Sequence, residues 1–273
     1  MRLLFLGDVV GRAGREAVCD ALPGLRERLR LDCVVVNAEN ASHGFGLAPE
    51  MARALFAAGA DAITLGNHAF DRKEIIPFLE QEPRVIRPLN YPPGTPGKGA
   101  MVVEVPGNRR VLVLQAMGRL FMEPLDDPFR AVQAELARHR MGKDGTVQAI
   151  VLDVHAEATS EKQAFGHSFD GHVSLVVGTH THVPTADHRV LEGGTAYCTD
   201  AGMCGDYDSV IGMQKGPATL RFWRKVPAER LAPAEGAATL AGVFVETDDA
   251  TGLALRCLPL RMGGGLAQAM PDA

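Results

Sequence analysis

Short apolar runs recur along the chain, and most of them stop at a polar side chain able to bind a metal. Leu3 to Leu6, Cys33 to Val36, Ala62 to Leu65, Ala149 to Val154 and Ser174 to Val177 read as strands buried on both faces, as in a parallel sheet covered by helices. Between them the spacing turns helical. Val18, Leu22, Leu25 and Leu29 follow the first run; Met51, Leu55 and Phe56 follow the second, framed by Pro49 and Gly59, which suit the start and stop of a helix. Phe129 to His139 is a further helical stretch. Met101 to Val105 and Val111 to Leu114 flank Pro106, Gly107 and Asn108, which predicts a hairpin. Val190 to Tyr197, Ala218 to Phe222, Leu240 to Thr247 and Gly252 to Pro259 read as additional strands, so the second half is expected to be richer in antiparallel pairing. The pattern is that of an α/β protein.

With 273 residues, 46% hydrophobic and 22% charged, the chain can bury a substantial core, and no low-complexity linker divides it, so residues 1–273 are expected to form a single domain. Tyr91 to Gly99 reads as a loop, Pro227 to Ala238 as a surface excursion, and the tail from Gly263 to Ala273 as flexible. The net charge is −5 and Lys and Arg are scattered, which argues against an extended nucleic-acid surface while leaving room for a small phosphorylated substrate. The five cysteines form no CxxC pair, no signal-like segment precedes the first run, and no apolar run could span a bilayer. A cytoplasmic location away from the membrane, with reduced thiols, is expected. Apolar segments near Val210 to Met213 and in the C-terminal strands either complete the core, the safer reading, or form a homo-oligomer interface.

The strand ends carry the chemistry. Asp8, Glu39 with Asn40, Asn67 with His68, His155, and the pair His180 and His182 each follow an apolar run. Ligands of an open parallel sheet sit in the crevice beyond the carboxyl ends of its strands, so these residues are placed to converge. Each has an ordinary reading by itself: Asp8 can cap a helix or shape a turn, Glu39 and Asn40 can be solvated, and His155 can be a satisfied histidine at a core edge. Turn chemistry explains the set poorly, because acids and imidazoles follow the most apolar strands. Oxygen donors mixed with imidazole nitrogens suit Fe, Mn or Zn better than Mg or Ca, and their number exceeds the needs of one tetrahedral zinc, which points to two metal ions. His180 and His182 are expected to project to one side of an extended backbone. His68, beside the Asn67 amide, is placed to act as an acid without binding metal.

His43, His139, His167, His172 and His188 have no comparable context. A GxGxxG frame starting at Gly7 fails at Val9 and Arg12, and there is no P-loop. Gly202, Gly205 and Gly212, around Asp206 and Asp208, are expected to shape a loop near the pocket. Arg12 and the Ser42 to Phe45 loop are weaker candidates for phosphate or base contact, with solvation the favoured role for Arg12.

GDVVG (Gly7 to Gly11), NAEN (Asn37 to Asn40), LGNHAFD (Leu65 to Asp71), LDVHAE (Leu152 to Glu157), GTHTHV (Gly178 to Val183) and GGTAYCTDAGMCGDYDSVIGM (Gly193 to Met213) together resemble the YmdB-like branch of the calcineurin-like metallophosphoesterases. The resemblance implies a four-layer sandwich of two mixed β-sheets flanked by helices, with two metal ions at one end. It implies that Asp8, Asn40 and His182 hold one ion, that Asn67, His155 and His180 hold the other, that Glu39 bridges, and that His68 is the catalytic imidazole. The wider superfamily bridges with an Asp in GDxxDRG, where this chain has Ala38-Glu39-Asn40. The implied activity is hydrolysis of small phosphodiesters, 2′,3′-cyclic nucleotides above all, by metal-activated hydroxide with His68 as general acid; Fe or Mn are the expected metals, with Zn as a third. Two other readings compete. An amidohydrolase-type deacylase also uses HxH, but tends to carry it after the first strand, and a metal-stabilised regulatory scaffold would leave the site idle.

Overall fold

The computed structural model describes residues 1–224 and 229–272. In chain order the elements are β1 (Arg2–Leu6), β2 (Asp8–Val9), α1 (Gly11–Leu29), β3 (Cys33–Asn37), α2 (Pro49–Ala58), β4 (Ala62–Thr64), α3 (Ile75–Gln81) and β5 (Val85–Ile86). Then come β6 (Ala100–Val105), β7 (Arg109–Met117), α4 (Pro128–Leu136), β8 (Ala149–His155), α5 (Thr159–Ser168) and β9 (Leu175–Thr179). Last are β10 (Arg189–Val190), β11 (Ala196–Cys198), β12 (Met203–Asp206), α6 (Lys215–Arg224), β13 (Ala238–Thr247) and β14 (Ala254–Gly263).

Alternate residues of one strand enter different cores, because successive side chains of a strand point to opposite faces. In β1, Leu4 and Leu6 join Val18, Leu22 and Leu25 of α1, whereas Leu3 and Phe5 join a second cluster with Val111, Val113, Val151 and Val177 of the other sheet. In β7 and β8, Leu112, Leu114, Ile150 and Leu152 turn outward to Val132 of α4 and Phe165 of α5. Helices, sheet, sheet, helices: the three clusters define the four-layer sandwich. Covering both faces of both sheets is what makes these strands read as unbroken apolar runs.

The first sheet runs β2-β12-β13-β1-β3-β4-β5, with β14 paired to β13; the second runs β10-β11-β9-β8-β7-β6. β1, β3, β4 and β5 are parallel, as are β7, β8, β9 and β11, so the carboxyl ends in each set point one way. The predicted hairpin forms, with Val103 opposite Val111. Among the described residues no helix is long and apolar enough to cross a membrane.

Some expectations change. Ala218 to Phe222 lies in helix α6, not in a strand; Pro217 falls in its first turn, where a missing N–H is tolerated, and Phe222 and Trp223 are exposed. Val190 to Tyr197 is two short paired strands separated by a turn through Gly193 and Gly194. Met203–Asp206, read as part of a loop, is strand β12. The expected excursion from Pro227 begins outside the described residues. The tail expected to be flexible turns back on β14: Arg261 and Ala269 exchange two backbone hydrogen bonds, and Met270 packs against the first cluster.

Phe244 of β13 is fully buried, whereas Leu255 of β14 is 62% exposed. Phe244→Ala is expected to cost ~3–5 kcal/mol, and Leu255→Ala no more than about 0.5 kcal/mol. Urea unfolding checks this: the midpoint should fall for the first alone, with the slope unchanged.

Candidate metal centre and active site

Asp8 follows β1, Glu39 and Asn40 follow β3, Asn67 and His68 follow β4, His155 closes β8, and His180 and His182 follow β9. Because the two sheets face each other with these ends together, residues from both meet at one end of the sandwich. Glu39 Oε1 and Asn67 Oδ1 lie 3.1 and 2.8 Å from His155 Nε2. Ligand atoms of Glu39, His155 and His180 fall within 4.8 Å of one another. Asp8 sits on the other side, with Oδ1 4.0 Å from His182 Nε2 and its carboxylate accepting the His180 N–H at 3.2 Å. A Cβ at Gly66 would collide with Glu39 Oε2 and His155 Nε2, so glycine is what admits the GNH turn this close to both.

Asn40 supplies the test of whether this donor set fits a cation. Its Nδ2 donates to Gly44 O at 3.0 Å, which turns the amide, and its buried Oδ1 is left without a protein partner. A buried oxygen without a donor, next in sequence to the buried Glu39 carboxylate, suits a divalent metal ion. The residues therefore fit the metals that their chemistry implies.

Burial works against charge here, and the partners decide the outcome. Burial opposes ionisation of Glu39, but the charge and hydrogen bond of His155, with help from His68, carry its pKa down to about 2. Burial likewise opposes protonation of His155, yet Glu39 carries it up to about 9. Burial, then the charge on His155, depresses His180 to about 3 and keeps that ring neutral. Burial lifts Asp8 to about 6 against the pull of His182.

The His-Thr-His segment is not extended, as the sequence suggested: His180 and His182 have φ of 96° and 66°. The two rings consequently diverge, His180 toward Glu39 and Glu157 (3.3 Å), His182 toward Asp8. The His182 Nδ1 donates to Ile211 O at 2.8 Å, leaving Nε2 as the free nitrogen toward Asp8. Asp200 braces the segment between the rings. Its Oδ2 accepts from Thr181 Oγ1 (2.7 Å), Thr181 N (3.2 Å) and Lys162 Nζ (2.7 Å), the acid and the lysine both buried.

His68 stands apart from the cluster. Its N–H donates to Glu39 Oε2 at 2.9 Å, its Nδ1 pairs with Asp71 Oδ2 at 2.8 Å, and its ring meets Phe45 edge-on. The Gly202 to Gly212 loop does reach the site: Gly202 O accepts the Asp8 N–H at 3.1 Å, and Ile211 O holds His182. Arg12 pairs with Glu235 on the surface, and Arg72 clamps the loop after Asn40 by donating to Ser42 O and Phe45 O. Asp71, Asp153, Glu157 and Asp200 were not singled out in the sequence. Asp153 had a signal, an acid inside an apolar run; Asp200 lay in a loop and had none.

A two-sheet sandwich with acids, amides and imidazoles gathered at the strand ends is the class of a metal-dependent phosphoesterase fold. The model of the YmdB-like protein family matches residues 4–260, and the chain belongs to that family. A Bacillus subtilis protein named 2′,3′-cyclic-nucleotide 2′-phosphodiesterase is 46% identical over 259 residues, 94% of this chain and 95% of that one. A Thermus thermophilus protein described as hypothetical has a crystal structure that superposes with a TM-score of 0.89 at 44% identity, covering 97% of this chain and all of that one. A Mycoplasma pneumoniae protein described as a novel phosphatase superposes with a TM-score of 0.87 at 34% identity, covering 96% of this chain and 93% of its own.

With His155 protonated up to about 9 in the metal-free site, a metal must displace that proton. Affinity is expected to rise by roughly tenfold per pH unit from neutrality until pH passes that value, then flatten. Titration of metal-free protein with Mn²⁺ across this range is the check, and a flat profile would contradict the coupling.

Proposed function

We propose that the chain hydrolyses small phosphodiesters, nucleoside 2′,3′-cyclic phosphates foremost, at a centre for two transition-metal ions, with Fe or Mn ahead of Zn. Asp8, Asn40 and His182 would hold one ion and Asn67, His155 and His180 the other, with Glu39 between them. The observation that carries this reading is the division of the donors into an Asp8–His182 side and a Glu39–Asn67–His155–His180 side, with His68 tied to Glu39 through its backbone N–H and oriented by Asp71. The name of the Bacillus subtilis relative supports the substrate class. The same name favours a phosphodiesterase over an amidohydrolase or an idle scaffold.

When bound, the ions would supply Lewis-acid stabilisation of phosphoryl charge and activation of a water nucleophile. The chain supplies the rest. Neutral His180 keeps a nitrogen lone pair available, and ionised Glu39 balances cationic charge. Asp71 accepts from the Nδ1–H of His68 and fixes the ring, so Nε2 is the atom that delivers a proton to the departing ribose oxygen. The ring is partly exposed, which lets a substrate reach it. By the naming of the relative, the departing oxygen would be O2′ and the product a 3′-phosphate.

His68→Ala is expected to retain metal and lose about 10²–10⁴-fold in rate on a cyclic nucleotide, with a smaller loss on a nitrophenyl phosphodiester, whose leaving group needs no proton. Equal losses on both would make His68 a positioning group instead. The substrate class is tested by kcat/KM at fixed metal and moderate salt for a 2′,3′-cyclic mononucleotide, a 3′,5′-cyclic mononucleotide and a long single strand. The first should be fastest. Faster cleavage of the polymer, with steep salt dependence, would sink the small-substrate assignment.

A further inference from the structure

Asp153 of β8 is fully buried between the sheets, two residues before His155 and out of reach of substrate. Its Oδ2 accepts from Thr64 Oγ1 (2.7 Å), Gln115 Nε2 (2.8 Å) and Asn37 Nδ2 (3.4 Å). Its Oδ1 accepts from Thr179 Oγ1 at 2.7 Å, and Thr179 Oγ1 lies 2.9 Å from His155 Nδ1. A hydroxyl has one proton to give. That of Thr179 goes to a carboxylate, which only accepts, so toward His155 the hydroxyl must accept. Nδ1 therefore carries hydrogen, which leaves Nε2, 3.1 Å from Glu39 Oε1 and 2.8 Å from Asn67 Oδ1, as the nitrogen turned toward the other candidate ligands.

We infer that Asp153, acting through the Thr179 hydroxyl, is a positioning residue that sets the metal-binding tautomer of His155. This deepens the metal-centre reading above and rests on it. The relay has a fixed direction because its far end cannot turn over. Gln115 takes the Leu65 N–H on Oε1 (3.2 Å) and gives its amide hydrogens to Leu65 O and Asp153. Asn37 takes the Glu39 N–H on Oδ1 (3.2 Å) and gives its amide hydrogens to Leu65 O (2.9 Å) and Asp153. Two NH₂ groups thus face Oδ2, each pinned by backbone.

In Asp153→Asn the new amide must keep its oxygen opposite those donors, which aims its own NH₂ at Thr179. The Thr179 hydroxyl then accepts from that amide, and His155 Nδ1 is the partner left for its proton. Nδ1 then has to give up its hydrogen, and the imidazole keeps the one on Nε2, where it obstructs the metal. Shape is conserved; only the direction of the relay reverses.

The test measures Mn²⁺ affinity calorimetrically for the wild type, Asp153→Asn, Thr179→Val, Thr179→Ser and the Asp153→Asn/Thr179→Val double variant, with cooperative thermal unfolding confirming that each is folded. Asp153→Asn should bind about 10–100-fold more weakly, and Thr179→Ser, which keeps the hydroxyl, near the wild-type level. Thr179→Val alone should weaken binding, yet added to Asp153→Asn it should recover part of the loss, because no hydroxyl remains to drive the proton to Nε2. That reversal of sign is not produced by general damage. Wild-type affinity in Asp153→Asn, or a double variant weaker than Asp153→Asn, would overturn the relay while leaving the metal centre intact. A wild-type protein that takes up neither Mn²⁺ nor Fe²⁺ would overturn the metal centre itself, and the relay with it.

Discussion

Two carboxylates, Asp8 and Glu39, are withdrawn from solvent at the same end of the sandwich, and much of the surrounding architecture exists to make that tolerable. Stripping a carboxylate of water costs several kcal/mol unless opposite charge and hydrogen bonds replace it. Glu39 has both, from His155 at 3.1 Å and the His68 N–H at 2.9 Å, and stays ionised far into acid. Asp8 has a backbone N–H but only a distant imidazole, at 4.0 Å, and its pKa rises to about 6. The less fully partnered acid is the one with more to gain from a cation, which ties the electrostatics of the fold to the chemistry proposed for it.

The same demand shapes the loop after β9. Placing two imidazoles on different sides of one cluster requires the backbone to leave the strand abruptly, and His180 and His182 do so in left-handed conformations that cost on the order of 1–3 kcal/mol each. Such strain persists only where neighbours hold it. Asp200 holds it by gripping Thr181, and Lys162 of α5 pairs with Asp200 inside the protein at 2.7 Å. A helix on the outer face of the second sheet thereby steadies ligand candidates at its end. Behind His155, Asp153 and Thr179 fill a similar supporting place, where Asn37 and Thr64 of the first sheet meet Gln115 and Asp153 of the second.

Much of this was legible along the chain because burial on both faces leaves an unmistakable mark. Runs such as Val34, Val35 and Val36 have no polar alternation, since one face meets helices and the other meets the opposing sheet. The acids, amides and imidazoles that follow these runs stood out for the same reason, and all of them lie at the shared end. The failures fall where local composition is ambiguous. Ala218 to Phe222 looked like a strand, but nothing in an apolar run of that length separates a strand from a short helix whose aromatics stay exposed. β12 was hidden among glycines, and its pairing with β13 and β2 is a long-range matter.

By itself the sequence determined which side chains stand at the strand ends, and with them the donor chemistry, because the period of a strand and the apolarity of a covered sheet are local properties. Tertiary structure alone decided how those donors divide. Nothing local says that His180 and His182 diverge, that Asn40 Oδ1 is left without a donor, or that a hydroxyl on β9 reads the charge of Asp153 and passes it to His155. Those facts depend on hydrogen bonds between residues far apart in the chain, whose directions are set only when the two sheets close on each other and exclude water.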